Sequence, residues 1–349
     1  MGTLIEMADA NVGPETFDSL RDMAERGDPR AMLLLGSRFL VGNQAPFDPV
    51  AGLSWVNKAA QAANPDAYNL LATLSAAGAW VPQNWQHAVD LLATAAEMGS
   101  EDARRQILLL TARSRKLTQD QIDQFRLRSD WSSMCGAVDL EAFVRPPQRA
   151  QICDSPRIWT AENFASSDEC DWLIDRARDK MSPAQMYDRR TQTKNFVGIR
   201  NNSDYFFDIV ESHLLLVLLR IRISLLVDLP VPHFEPPQML HYGPGQELRA
   251  HFDNLRDGSK GYGKQDSYKG DRVVTFLCYL NDGYDGGETE FMRANLKFKG
   301  KKGDGIFFAN MRNGELDKMS LHSGTPIIAG EKWLLSQWIH DRPFVAEED

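Results

Sequence analysis

Two histidines and one aspartate stand at spacings that suit a metal: His251-Phe252-Asp253, and far downstream His322. Successive side chains of a strand point to opposite faces. Residues 251 and 253 would therefore share a face while Phe252 turns away into packing, and His322 must arrive from another strand. Two imidazoles and one carboxylate can fill one face of an octahedral ion and leave the opposite face open, a ligand set that suits ferrous iron and O2. Lys332 follows ten residues after His322, in Ala329-Gly330-Glu331-Lys332-Trp333. A point charge on a flexible stem at that offset can hold the far carboxylate of an acidic co-substrate. His-x-Asp alone is weak, because it occurs by chance in many proteins. Its surroundings make it specific.

Those surroundings come in ordered blocks. Gln238-Met239-Leu240-His241-Tyr242-Gly243-Pro244-Gly245-Gln246 leads into Leu248-Arg249-Ala250-His251-Phe252-Asp253. Arg272-Val273-Val274-Thr275-Phe276-Leu277-Cys278-Tyr279-Leu280-Asn281 and Gly286-Gly287-Glu288-Thr289-Glu290-Phe291 follow, then His322-Ser323-Gly324-Thr325-Pro326 and Gly330-Glu331-Lys332-Trp333. This set resembles the catalytic domain of prolyl 4-hydroxylases, which are Fe(II)- and 2-oxoglutarate-dependent dioxygenases, over residues 155–345. The resemblance implies that His251, Asp253 and His322 ligate iron and that Lys332 pairs with the distal carboxylate of 2-oxoglutarate. It further implies that Tyr242 and Thr289 donate hydroxyls to that carboxylate and that Trp338 lines the co-substrate pocket. Arg200 falls in the segment that reads Arg-Thr-Ser in prolyl hydroxylases and lies in their substrate loop. Here it reads Arg200-Asn201-Asn202, a departure that bears on the substrate and not on the iron chemistry. Fe(II), 2-oxoglutarate and O2 are the implied cofactor and co-substrates, with ascorbate a further candidate. Related halogenases lack the carboxylate ligand so that halide can bind iron. This chain keeps Asp253, which favours hydroxylation.

Each of these residues has a plainer reading. His251 and Lys332 could be solvated strand and hairpin residues, Asp253 and His322 turn residues. For Tyr242, Thr289 and Trp338, ordinary barrel packing competes with co-substrate contact. His87, His213, His233, His241 and His340 read as structural or exposed.

The elements that must position this site fall in the C-terminal half. Val273 to Leu280, Gly305 to Phe308 and Trp333 to Ile339 are rich in β-branched and aromatic residues. Short strands split by Gly and Asp turns predict an antiparallel double-sheet jelly roll, whose mouth suits a small-molecule site. A helix over 163–180, capped at Ser166 or Ser167, would brace it. The Gly- and Lys-rich stretch 254–271 starts beside Asp253 and reads either as a lid that orders on substrate binding or as a solvated hairpin loop.

Residues 14–112 are helical in character and repetitive. Ala24, Ala60 and Ala96 recur at an interval of 36 residues, as do Ala31, Ala67 and Ala103, Gly42 and Gly78, and Leu35 and Leu71. Agreement across several columns indicates repeated helix pairs: small residues allow close helix approach, and Gly, Asn-Pro or Asp-Pro mark the ends. The period and the pairs Ala59-Ala60 and Ala95-Ala96 resemble Sel-like repeats, short relatives of tetratricopeptide repeats. Such arrays often bind peptides or proteins; packing against the catalytic domain or a second subunit is the alternative. Trp55, Trp80 and Trp85 could be aromatics of a binding face, but core packing is the stronger reading. Residues 113–154 read as a connector, with a helix capped by Thr118 and a break at Pro146-Pro147. The fold class is α+β multidomain: an all-α repeat array followed by a double-stranded β-helix with bracing helices.

Composition sets the outer bounds. The chain has 349 residues, enough for two domains, and a net charge of -9, which argues against nucleic acid as the main partner. Leu214 to Leu219 is apolar but too short to span a membrane, and the N-terminus lacks the pattern of a signal peptide. Four cysteines without a C-x-x-C fit a reducing cytoplasm. The expected activity is hydroxylation of a prolyl or other residue in a peptide or protein, with succinate and CO2 as co-products. Alternatives are hydroxylation of a free amino acid or small metabolite, and a non-catalytic repeat scaffold that senses iron or 2-oxoglutarate. Oligomeric state is not legible.

Overall fold

The computed structural model describes residues 16–114, 118–184, 186–188, 193–195, 200–254 and 270–344. The chain divides into two compact units, one mainly of residues 1–145 and 207–222, the other of 146–206 and 223–346.

The first unit is helical. Pro29–Val41 pairs with Pro49–Gln61, and Pro65–Ala77 with Trp85–Glu97, flanked by Phe17–Glu25 and Glu101–Ser114. The 36-residue interval reappears as capping chemistry. Asp28, Asp48, Asn64 and Asn84 each accept a backbone N–H of the first turn, at 2.8–3.3 Å, satisfying donors that have no partner within the helix. Gly42 and Gly78 end their helices in the left-handed region, at φ 69° and 70°. Ala31, Ala67 and Ala103 are all buried. At Gly36 a Cβ would lie 2.9 Å from the carbonyl oxygen of Gly52, so the first hairpin packs backbone to backbone. One expectation fails here. Trp80 is 40 % exposed and tilts against the exposed ring of Phe47 at 6.4 Å, because it follows the Gly78 cap in a turn and itself adopts a positive φ. Trp55, beneath the Lys58 ammonium, and Trp85 are half-buried.

Gln119–Arg128, Trp131–Gly136 and Leu140–Val144 continue the unit, the first opened by a reciprocal Thr118–Gln121 capping box. The helix His213–Val227 buries Leu214 to Leu219 almost completely, as expected of a helix apolar all round. Its N-terminus is held by polar side chains: Gln106 accepts the Leu215 N–H at 3.2 Å, and Asn69 bonds the His213 ring. Among the described residues no helix is long and apolar enough to cross a membrane, and all four cysteines are free thiols.

The second unit is a double-stranded β-helix. Its large antiparallel sheet runs Ala150–Asp154, Arg157–Ala161, Gly305–Ala309, Arg272–Tyr279, Lys332–His340, Gln238–Tyr242, Ser203–Phe206, Ser182–Pro183. A four-stranded sheet runs Leu296–Phe298, Thr289–Phe291, His322–Gly324, Leu248–His251. Both contribute to one apolar interior that includes Leu240, Leu277, Phe291, Phe308 and Leu334. Alternation along Arg272–Tyr279 turns Leu277 and Tyr279 inward and Phe276 outward against Phe164. The bracing helix is shorter than expected. It spans Ser167–Ala177 and continues as a single tight turn at Arg178–Lys180. Ser166 and Glu169 cap it reciprocally, while Asn163 to Ala165 are held in a turn, the Ala165 N–H bonded to Gly303.

Candidate active site

Strand register brings the two histidines together. His322 begins its strand directly opposite His251, the last residue of Leu248–His251. Their ring centroids are 4.3 Å apart. Asp253 lies just past the strand in a bend, so it shares no strand face with His251. Its carboxylate nevertheless meets both rings, with Oδ1 3.3 Å from His251 Nε2 and Oδ2 3.5 Å from His322 Nε2. The three ligand atoms all lie within 4.8 Å of one another. Metal–ligand bonds of about 2.1 Å place neighbouring ligand atoms about 3 Å apart, so a small shift closes this set on one ion. Each imidazole turns Nδ1 to a carbonyl, His251 to Arg249 at 2.9 Å and His322 to Ser320 at 3.0 Å. That assigns the proton to Nδ1 and leaves the Nε2 lone pair facing the centre. The donor set, two imidazole nitrogens and a carboxylate, fits ferrous iron.

Two buried side chains orient the carboxylate. Thr275 donates to Asp253 Oδ2 at 2.7 Å, and Asn310 Nδ2 donates to Thr275 Oγ1 at 2.9 Å. An ionised carboxylate only accepts, so the threonine gives its proton to the aspartate and receives one from Asn310. Burial opposes ionisation of Asp253, but His322, His251 and Thr275 outweigh it and hold the carboxyl well below its usual range. Burial, reinforced by His251, pushes His322 down to about 4, which leaves it neutral at pH 7.

The cation lies against the same interior, beside Tyr242 and Tyr279. Lys332 is paired with Tyr242 in register and is 3 % exposed. Its ammonium donates to the Gly287 carbonyl at 2.6 Å and lies over Tyr279 and Tyr242, 5.1 and 5.7 Å from their centroids. Burial drives its pKa down to about 7, opposed by Glu288 and reinforced by Lys299. An ammonium buried this far can take an anion, which would restore its charged form. Thr289, also buried, bonds the Tyr279 hydroxyl at 2.8 Å. Tyr242 is buried, which pushes its phenol up to about 12 and keeps it a donor. Gly287, at φ 69°, allows the close approach, since a Cβ there would fall 3.3 Å from Lys332 Cδ.

Trp338 shares the inward face of its strand with Lys332. It stands opposite Thr275, half-buried under the Arg272 guanidinium at 3.6 Å. Arg200 bridges to Leu248 on the strand that ends in His251. Its Nη2 is 2.8 Å from Asp204 Oδ2 and its Nε 3.0 Å from Asn202 Oδ1, so its plane is fixed. The loop expectation for 254–271 falls almost wholly on 255–269, outside the described residues. His213, His233, His241 and His340 all hold structural hydrogen bonds, and His87 is exposed. Sequence reasoning passed over Thr275, Tyr279 and Asn310. The first two carry a signal, the two-residue alternation of Thr275, Leu277 and Tyr279. Asn310, one residue beyond a strand end, carries none.

Residues 237–340 match the 2OG-Fe(II) oxygenase superfamily. Prolyl 4-hydroxylase 13 of Arabidopsis thaliana is 32 % identical over 210 residues, covering 54 % of this chain and 73 % of that protein. Among solved structures, the viral collagen prolyl hydroxylase of Paramecium Bursaria Chlorella virus-1, as its 2OG complex, is 29 % identical. That alignment covers 54 % of this chain and 98 % of that one, with a TM-score of 0.41. A Sel1 repeat protein from Oxalobacter formigenes aligns at 25 % identity over 37 % of this chain and 51 % of that one, TM-score 0.27.

Proposed function

The chain belongs to the prolyl 4-hydroxylase family of 2-oxoglutarate- and Fe(II)-dependent dioxygenases, and from that membership we propose that it hydroxylates a prolyl or other residue of a peptide or protein. His251, Asp253 and His322 hold Fe(II). Lys332, Tyr242 and Thr289 receive the distal carboxylate of 2-oxoglutarate, and Trp338 walls the space between. The bound iron and co-substrate supply the oxidising power: O2 and 2-oxoglutarate yield succinate and CO2, and one oxygen atom enters a C–H bond of the substrate.

The protein's own part is placement. Nδ1-to-carbonyl bonds aim both imidazoles, and Thr275 aims the carboxylate. The Lys332 ammonium fixes the far end of the co-substrate so that its 2-oxo acid end reaches the metal, which converts an encounter into an oriented complex. The apolar interior around Leu277, Phe291 and Phe308 excludes water from the reacting centre. Arg200, pinned by Asp204 and Asn202, is the candidate reader of a substrate carbonyl or carboxylate. The helical hairpins of residues 14–112 are the candidate docking surface for a macromolecular substrate, and 155–345 the catalytic module. The observation that carries the reading is the pairing of a three-atom metal set with a buried lysine inside one barrel.

The test is succinate release with Fe(II) and 2-oxoglutarate, followed by mass spectrometry of host lysate for substrates that gain one oxygen. Turnover that rises with a proline-containing peptide supports the proposal. Absence of succinate, with or without peptide, removes the enzymatic reading and leaves the scaffold. Oxygen gained only by small metabolites redirects the substrate class.

A further inference from the structure

Tyr284 is a buried tyrosine whose hydroxyl has no assigned task. It is 4 % exposed and belongs to the barrel's inner cluster with Tyr242, Tyr279, Ile327 and Leu334. Its Oη is fully buried and hydrogen-bonds to no group among the described residues. A buried hydroxyl without a partner costs about 1–3 kcal/mol, so native structures rarely leave one unless something else completes it.

Its position indicates what completes it. A Cβ placed on Gly287 would lie 3.0 Å from Tyr284 Cε2 and 3.3 Å from Lys332 Cδ. The hydroxyl-bearing edge of the ring and the lysine stem therefore flank the same glycine, whose carbonyl receives the Lys332 ammonium. The ring is held in place by Lys299, which lies over it at 4.4 Å and is bonded to the Tyr284 carbonyl. Gly330 closes against its Cα and Cβ, where an added Cβ would sit 3.1–3.2 Å away. The neighbouring hydroxyls are short of protons. Tyr279 faces both Thr289 Oγ1 and the Phe298 carbonyl, so that chain of two hydroxyls can spare at most one proton for a ligand. A carboxylate accepts about four hydrogen bonds.

We propose that Tyr284 is a co-substrate-anchoring residue: its phenolic O–H donates to the distal carboxylate of 2-oxoglutarate beside Lys332. This rests on the co-substrate reading of Lys332 given above. It makes the pocket selective for a dicarboxylic 2-oxo acid through one more donor than Lys332, Tyr242 and Thr289 supply.

Tyr284→Phe keeps the ring and removes the donor. The full-length protein, loaded with Mn(II) so that it does not turn over, is titrated calorimetrically with 2-oxoglutarate and with 2-oxobutyrate, which lacks the distal carboxylate. Loss of one hydrogen bond to a charged group raises the dissociation constant of 2-oxoglutarate about tenfold and leaves that of 2-oxobutyrate unchanged. Melting of the ligand-free variant is unchanged or raised, because the orphan hydroxyl is gone. An unchanged 2-oxoglutarate affinity in Tyr284→Phe overturns the assignment while the Lys332 reading stands. So does a lower melting temperature of the ligand-free variant, which would mean that the hydroxyl is already satisfied. A wild-type protein that does not prefer 2-oxoglutarate over 2-oxobutyrate overturns both.

Discussion

Thr275→Val is the most informative perturbation of the metal centre, because it touches no ligand and keeps the side chain's shape. Thr275 gives its proton to Asp253 Oδ2 at 2.7 Å and takes one from Asn310 at 2.9 Å, and the residue is 1 % exposed. Valine removes a hydrogen bond to an ionised group, about 1.5–3 kcal/mol, and strands a buried amide donor on Asn310. The unliganded protein should lose on the order of 2 kcal/mol in urea unfolding. Metal affinity should fall about 10–100-fold, the usual effect of losing the partner that aims a ligand. Calorimetric titration with Mn(II) measures the affinity. Thr275→Ser, which retains the hydroxyl, should bind within a few-fold of wild type. A valine variant that binds Mn(II) like wild type refutes the role given to Thr275.

Other expectations concern the anion pocket and the helical unit. The pKa of Lys332 is lowered from 10.5 to about 7 on folding, so between those values the unfolded chain binds the extra proton and stability of the ligand-free protein rises with pH. Lys332→Met should abolish that rise in urea titrations and weaken 2-oxoglutarate binding by at least about a hundredfold, the scale of a lost buried charge partner. Gly287→Ala puts a Cβ 2.5 Å from Ile327 Cδ1 at a left-handed φ; it should cost about 1–3 kcal/mol and raise the KM for 2-oxoglutarate more than it lowers kcat. Asn64→Ala removes a cap that bonds Asp66 N, Ala67 N and the Pro29 carbonyl. It should lower the melting temperature of the helical unit, at about 1 kcal/mol, while succinate release without a protein substrate is unchanged.

What could be read from the chain alone follows from what local patterns encode. The helical repeat was legible because its caps are local: Asp28 and Asn64, or Gly42 and Gly78, act within one turn of where they stand in sequence. The sheet-rich half was legible because Val273 to Leu280, Gly305 to Phe308 and Trp333 to Ile339 concentrate β-branched and aromatic residues. What needed coordinates was register. That His322 faces His251 depends on two strands far apart in sequence, and the same holds for Asn310, which meets Thr275 because Ala309 pairs with Val274. Strand periodicity also gave the wrong reason for one contact. Asp253 reaches the histidines from a bend beyond the strand, aimed by Thr275 rather than by the pleat. Trp80 shows the limit of treating aromatics as core, since a turn conformation turned it outward.

The central claim, one metal ion and one dicarboxylic acid sharing this barrel, is tested most directly by crystals grown with Mn(II) and the unreactive analogue N-oxalylglycine. Anomalous scattering should place a single ion about 2.2 Å from His251 Nε2, an Asp253 carboxylate oxygen and His322 Nε2, with the analogue's far carboxylate against the Lys332 ammonium. An ion bound elsewhere, or an analogue whose far carboxylate leaves Lys332 untouched, would contradict the claim.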